Sequence, residues 1–302
     1  MQPDSPPLDA LIIGGGPAGL VAAVYLQRFL RRFVLFDEGQ ARAARIPRSH
    51  NVPGFPGGIP GPELLDRLRQ QVAELGARVS PWRVEALHRV SAAGEALFVA
   101  DAGGSRWLAR RVLLATGAVD REPAFPGIGA LRQLQRLRQC PICDGHEFAG
   151  QRLLVVGNGP HGVREACFIR HFSPHTAFVA LDGAGALPPH LQRELAERGV
   201  ALLDAPPVAV QVDGGGPLLH LHDGRTHRFD TMYAALGCHP RNELGRQLGA
   251  RVDARGNLVI DAHRQTVVPG LYAAGDVTGG LDQIAVAAGE AAIAATAIHN
   301  SL

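Results

Sequence analysis

Lysine is absent. All 30 basic residues among the 302 are arginine, so no P-loop lysine, no Schiff-base lysine and no protein-kinase lysine is available. Methionine is confined to Met1 and Met232 and aromatics to 5% of the chain, so no aromatic or methionine-rich binding box is indicated. Charge is nearly balanced: 30 basic against 28 acidic residues leave a formal +2, which gives no electrostatic footprint for nucleic acid. Long apolar runs are missing too. Glycines break the stretch from Ala10 to Leu26, and Ile284 to Ile298 carries Glu290 among many alanines, so no membrane span is expected. The first ten residues carry no basic leader, so no secretory signal is expected. Four cysteines are too few for a disulfide scaffold at this length, and a cytoplasmic enzyme with one special thiol pair fits them better.

What is present is glycine, 37 residues of it, in a globular background that is 46% apolar and 19% charged. Leu8 to Ile13 reads as a buried strand. Gly14-Gly15-Gly16-Pro17-Ala18-Gly19 follows, then a helix to about Leu30, a second strand from Arg32 to Phe36, and Asp37. This is the order a dinucleotide fold needs. Gly14 permits the tight turn, Gly16 lets the backbone approach a pyrophosphate, Gly19 lets helix and strand pack closely, and Asp37 accepts hydrogen bonds from a ribose. The helix N-terminus supplies the phosphates with free N–H groups and partial positive charge.

The same grammar recurs from the strand at Arg152 to Val156, through Gly157-Asn158-Gly159-Pro160-His161-Gly162 and a helix, to the strand Thr176 to Leu181 and Asp182. Gly14 to Asp37 spans 23 residues and Gly157 to Asp182 spans 25. A lone glycine motif is weak evidence, whereas two in full strand–helix–strand context are strong. Asp182 sits where a ribose 2′-position falls, which favours NADH over NADPH, although a simple cap of the Asp182-Gly183 turn explains it as well. Val112 to Ala115, running into Thr116-Gly117, and Gly270 to Ala274, running into Gly275-Asp276, read as further strands of the first unit. Pro123 to Gly129 reads as a linker. The expected fold is α/β with two Rossmann-like, three-layer ββα nucleotide-binding domains, the second inserted in the first. Residues 1–117 and 245–302 are expected to form one split nucleotide-binding domain. Residues 118–244 form an NAD(P)-binding-like domain that carries the cysteine pair.

Cys140-Pro141-Ile142-Cys143-Asp144-Gly145 carries the chemistry. A C-x-x-C pair closes a short disulfide and often lowers one thiol's pKa. Asp144 is placed to move the proton that exchange requires, and Arg132, Arg136 and Arg138 upstream could favour a thiolate or receive an acidic partner. Zinc would need a second pair at comparable spacing, but Cys167 and Cys238 are isolated. Covalent haem would need His where Asp144 stands. Two merely buried thiols remain an alternative. Among 13 histidines only His161, inside the second glycine turn, attracts attention; His220 and His222 read as a solvated strand face.

Taken together, GGGPAG at Gly14, Asn51-Val52-Pro53-Gly54, Ala115-Thr116-Gly117, C-x-x-C-D-G at Cys140, the turn at Gly157, and Ala274-Gly275-Asp276-Val277 followed by Gln283 resemble the low-molecular-weight thioredoxin reductase family across essentially the whole chain. The resemblance implies FAD in the first domain, with Asp276 near its ribityl and phosphate groups and Gln283 and Ile284 near the isoalloxazine. It implies that Cys143 takes electrons from the flavin and that Cys140 attacks the partner disulfide with Asp144 as acid and base. The implied partner is a thioredoxin-like protein or small disulfide, and the implied assembly a homodimer whose small domain rotates. Departures are specific. The family's basic cluster after the strand that here ends at Asp182 is replaced by Asp182-Gly183-Ala184-Gly185, and the family's Arg before the Gln is Asp282. Pro141-Ile142 stands where small polar residues are usual. Two alternatives follow from these: a dithiol oxidase or ferredoxin-fed relative that dispenses with NADPH, and a non-enzymatic redox sensor.

Overall fold

The computed structural model describes residues 6–92 and 94–302, and the chain forms two units. One runs to Val119 and resumes over His239–Leu302; the other is Asp120–Cys238. The return crossing therefore falls six residues before the Leu244/Gly245 boundary expected from sequence. The helix Glu243–Gln247 already belongs to the first unit, where Gly245 lies so close to its neighbours that a Cβ would stand 2.7 Å from Leu258 Cδ2 and 3.2 Å from Leu114 Cδ1.

The first unit is built on the parallel strands Val79–Ser80, Phe33–Phe36, Leu8–Ile13, Ser105–Leu114 and Leu271–Ala273, in that spatial order. Alternate residues of a strand face opposite sides, and here both sides are covered. Ala10, Ile12 and Leu35 pack with the helices Pro17–Arg28 and Ile284–Asn300, while Leu11, Ile13 and Val34 pack with Val84, Leu87, Phe98 and Ala100 on the other face. This explains why, after Asp9, the strand Leu8–Ile13 reads as an apolar run without alternation. Leu11 and Ile12 are fully buried, and each such side chain contributes about 2 kcal/mol of hydrophobic stabilisation. The strand Ser105–Leu114 is longer than the four residues expected. Its first half continues as an antiparallel hairpin with Glu95–Ala102, which in turn pairs with Val84–Ala92. That excursion forms the third layer.

The second unit repeats the architecture. Its parallel sheet runs Ala201–Leu203, Thr176–Ala180, Leu153–Gly157, Thr231–Ala235, Leu137–Arg138. The helices Gly159–Ile169 and Pro189–Glu197 pack on one face, and the antiparallel strands Pro207–Asp213, Gly216–Leu221 and Thr226–Arg228 lie on the other. Pro123 to Gly129 is docked in this unit and is no free linker. At Gly127, whose φ is 98°, a Cβ would sit 1.6 Å from the Val210 carbonyl oxygen, and the helix Ile128–Gln133 starts there. The expected solvated face at His220 and His222 holds only in part. His222 is exposed, just past the strand end, whereas His220 is half-buried with an Nε2 that no solvent reaches. Among the described residues no helix is long and apolar enough to cross a membrane.

Candidate active site

The C-terminal ends of the first unit's parallel strands bring most of the sequence-flagged residues to one edge, where α/β sheets bind ligands. Leu8–Ile13 delivers Gly14 to Gly19, Phe33–Phe36 delivers Asp37, Ser105–Leu114 delivers Thr116 and Gly117, and Leu271–Ala273 delivers Gly275 and Asp276. The turn leaves no room for side chains. At Gly14, with φ of 112°, a Cβ would lie 2.2 Å from the Ala115 carbonyl oxygen; at Gly19 it would lie 1.8 Å from the Gly14 carbonyl oxygen. Gly16 caps the helix Pro17–Arg28, which begins with Pro17 and Ala18 and has no side-chain cap and no acid in its first turn. Its leading N–H groups therefore point outward as donors. Gly275, whose φ is 79°, would place a Cβ 3.1 Å from the Ala18 Cβ, so the two turns abut.

Around this cradle the polar side chains are held. Asp37 Oδ1 accepts from the Gly39 N–H at 2.9 Å, and Oδ2 meets Arg69 at 3.2 Å. Asn51 donates from Nδ2 to Gln283 Oε1 at 2.8 Å, which joins a loop to the cap of the helix Ile284–Asn300. Thr116 donates to the Arg241 carbonyl at 2.6 Å. Arg42 was not singled out by sequence, yet its Nη1 bridges Asp276 at 2.8 Å and Asp282 at 2.9 Å. Asp282 thus stands opposite an arginine that is more than 230 residues away in the chain, a pairing that no local pattern signals.

The second glycine turn has the same form. Gly157 ends its strand, Gly159 adopts φ of 54°, and a Cβ on Gly162 would sit 3.1 Å from the Gly157 Cα. Asn158 accepts the Leu181 N–H at 2.9 Å and donates to Asp182 Oδ2 at 3.4 Å, so the acid leans towards the turn. His161 contacts Glu165 one helical turn on, at 3.3 Å, and burial pushes the Glu165 carboxyl up to about 7. Unfolded, this group releases its proton near 4.5. The folded state therefore loses stability as pH rises from there, and the loss is complete once pH passes about 7. Glu165→Gln is expected to flatten this slope, with an upper bound of about 3 kcal/mol. Thermal melts at acidic and mildly alkaline pH check it, and identical slopes in the two proteins would exclude Glu165 as the source.

In the same unit Cys140 and Cys143 are disulfide-bonded, with Cα atoms 5.3 Å apart. Pro141 starts the single helical turn Pro141–Asp144, and the Cys143 N–H bonds the Cys140 carbonyl at 3.0 Å. This turn brings both sulfurs together and directs Asp144 inward, where it is 6% exposed. Burial raises the Asp144 carboxyl above the usual carboxylate range, against the opposing pull of the Arg138 charge and a hydrogen bond from Tyr233. The upstream arginines are engaged. Arg132 pairs with Glu122, Arg136 bonds the Gly215 carbonyl at 3.1 Å, and Arg138 pairs with Asp144 at 2.5 Å. Sequence reasoning offered these arginines to the thiols or to an acidic partner; it did not connect Arg138 or Tyr233 with Asp144.

Two dinucleotide-type units in one chain, one of them holding a disulfide beside a buried acid, define a pyridine-nucleotide type of disulfide oxidoreductase. Residues 8–291 match the pyridine nucleotide-disulphide oxidoreductase family, and the chain belongs to it. It is 31% identical over 281 residues to a thioredoxin reductase of Streptomyces coelicolor, an overlap covering 89% of this chain and 85% of that one. Among solved structures it resembles HlmI, with a TM-score of 0.88 and 28% identity over 97% of this chain and 92% of that one. It also resembles the thioredoxin reductase of Streptococcus pyogenes, with a TM-score of 0.85 and 26% identity over 97% of each chain. The protein is a flavin-dependent thiol–disulfide oxidoreductase with two Rossmann-like domains.

Proposed function

We propose that the protein carries electrons from a nicotinamide nucleotide, through FAD bound in the first unit, to the Cys140–Cys143 disulfide and on to a thioredoxin-like protein or a small disulfide. The observation that carries this reading is the closed Cys140–Cys143 bridge next to a buried Asp144, in a chain with two glycine turns of dinucleotide form. The residues of the first unit suit FAD. The uncapped helix start after Gly16 offers N–H donors to a pyrophosphate, and the Gly14 and Gly19 contacts leave backbone bare where phosphate approaches. Pro17 and Ala18 line the same turn and Asp37 takes the adenosine ribose. Thr116, Gly117, Gly275 and Asp276 face the flavin's chain, and Asn51, Gln283 and Ile284 its ring. When bound, the flavin supplies a two-electron relay between nicotinamide and disulfide.

The protein's own residues do the rest. Opening the disulfide takes two electrons and two protons and yields two thiols, with Cys143 as the sulfur that receives the electrons. Cys140 then attacks the partner disulfide, and Asp144 accepts its proton and returns one to the departing thiol. In the second unit Gly157, Gly159 and Gly162 receive the nicotinamide nucleotide's pyrophosphate. Asp182, drawn in by Asn158, favours a ribose with a free 2′-hydroxyl and repels a 2′-phosphate. The assembly we propose is a cytoplasmic homodimer, on the strength of family membership.

An anaerobic titration of the flavin-loaded protein tests the donor. NADH is expected to bleach the flavin absorbance at about tenfold lower concentration than NADPH, the equivalent of about 1.4 kcal/mol. A preference for NADPH would overturn the role given to Asp182. If neither nucleotide bleached the flavin while dithiothreitol did, the nicotinamide donor itself would be overturned.

A further inference from the structure

We propose that Arg138 and Tyr233 are positioning residues that hold and aim the Asp144 carboxyl for proton exchange with the Cys140–Cys143 pair. The inference rests on the reading of that pair as the exchanging disulfide.

The placement begins in the sheet. Leu137–Arg138 is a two-residue parallel strand that pairs with Thr231–Ala235, and its register sets Arg138 directly against Tyr233. Neighbouring strands lie about 4.8 Å apart, so the two side chains leave the sheet side by side. Both end on Asp144, one on each oxygen. Arg138 reaches Oδ2 with Nε and Nη2, each at 2.5 Å, and the Tyr233 hydroxyl donates to Oδ1 at 2.8 Å. The ion pair is nearly closed to solvent, at 9% and 7% side-chain exposure. Phe148 closes it further: its ring centroid lies 5.2 Å from the Arg138 guanidinium carbon and 6.4 Å from the Tyr233 ring centroid, edge-on to the tyrosine. Arg138 precedes Cys140 by two residues and Asp144 follows Cys143 by one, so the ion pair clasps the disulfide loop from both ends.

This arrangement does more than fasten the loop. A buried carboxyl without a partner keeps its proton and cannot act as a base. Arg138 is the positive charge opposing that tendency, and the Tyr233 hydroxyl, whose own ionisation is pushed far up by burial and by Asp144, remains a donor throughout. The remaining charge acting on Asp144 is Glu147, just past the helical turn, which raises its pKa. The helix Gly159–Ile169, packed on that turn, carries His161 and Glu165, which contact each other. Arg138 is thus the charge that draws Asp144 towards the carboxylate form that can receive a proton, and Tyr233, on the other oxygen, fixes the orientation of the carboxyl.

The step balances without an outside reagent. The Cys140 S–H bond breaks and its proton goes to the Asp144 carboxylate. The Cys140 sulfur bonds one partner sulfur as the partner's S–S bond breaks, and the electron pair leaves on the second partner sulfur, which takes the proton from Asp144. Cys143 then gives up its proton and attacks Cys140, which closes the disulfide, and the released partner sulfur takes up that proton and leaves as a thiol. The partner is reduced by two electrons and the pair is oxidised by two.

The test uses the flavin-loaded full chain with its pair reduced, freed of reductant, and reacted anaerobically with bis(2-hydroxyethyl) disulfide across a range of pH. Arg138→Met is expected to slow exchange at neutral pH by about tenfold or more and to move the rise in rate to higher pH. Asp144→Asn should lose that rise, and the double variant Arg138→Met/Asp144→Asn should be no slower than Asp144→Asn alone. Tyr233→Phe should slow exchange less than Arg138→Met. Arg138→Lys, which keeps the charge without the planar fork, should recover part of the rate and most of the pH profile. An unshifted profile in Arg138→Met, or losses that multiply in the double variant, would overturn the proposal whatever the melting temperatures. Should Arg138→Met fail to fold, wild-type rates and profiles in both Arg138→Lys and Tyr233→Phe would overturn it equally. Cys140→Ser separates the two readings, because wild-type reaction of that variant would remove the exchanging role of the pair itself.

Discussion

Cys143→Ser is expected to keep its flavin and to lose disulfide reduction by about 10³-fold or more, as removal of an essential nucleophile does. The two serine variants should fail differently. Without Cys143, the Cys140 thiol can still attack a partner disulfide, but no second thiol is present to release the product, so a covalent adduct through Cys140 should accumulate and appear as a mass increase equal to one partner. Without Cys140 no adduct should form. The bridge closes a loop of only a few residues, and cross-links of such short loops constrain the unfolded chain least. Melting temperatures of both variants should therefore stay near the wild type, which separates loss of chemistry from loss of fold. Full turnover in both variants would end the reading of the pair as the redox centre, while an adduct in Cys140→Ser alone would exchange the two cysteines' roles.

The parts legible in the sequence are those where backbone chemistry dictates residue type. Gly14, Gly19 and Gly157 are required by carbonyl groups that a Cβ would strike, and the strands that deliver them are apolar over their last four residues or more because both faces are covered there. The return crossing at His239 is hidden in the sequence because Glu243–Gln247 looks like any short polar helix until Gly245 is set against Leu258. Of the outer antiparallel layers only the strand at His220 is legible in the sequence. Strands such as Val84–Ala92 and Pro207–Asp213 carry polar residues on one side and follow no glycine landmark.

Side-chain partnerships across the sheet escaped for a related reason. Arg138 and Tyr233 are 95 positions apart, and only the parallel register of two short strands makes them neighbours. Arg42 is likewise remote in sequence from Asp276 and Asp282, and there a short helix and a loop, not strand register, bring the charges together. In both places the sequence exposes the acid through its motif, whereas the cation that governs its charge is supplied by the fold. Motif reading finds the reacting groups, and register decides the state in which those groups are held.

The other large effect is expected at the first glycine turn. Gly19→Ala would put a methyl carbon 1.8 Å from the Gly14 carbonyl oxygen, a backbone atom pinned from the other side because the Gly14 N–H bonds the Phe36 carbonyl at 2.9 Å. No rotamer relieves such a contact, so helix and strand must separate. Overpacking of this kind costs about 3 kcal/mol at the upper end of the usual range, a large share of the 5–15 kcal/mol (about) that holds a typical domain folded. The variant should be isolated without flavin and with a lowered melting temperature. Gly16→Ala is its counterpart. Gly16 has an extended backbone that any residue adopts, and its Cβ would meet nothing nearer than Ala41 Cβ at 4.0 Å, so the fold should be untouched. The added methyl would instead stand where a pyrophosphate must approach the helix N-terminus, and flavin affinity should fall about tenfold or more at an unchanged apo melting temperature. Loss of fold in the first variant and loss of flavin in the second separate packing from binding within one turn. Wild-type flavin affinity in Gly16→Ala would mean that the dinucleotide does not use this approach, and a fully folded, flavin-saturated Gly19→Ala would mean that helix and strand have room that the Gly14 carbonyl denies them here.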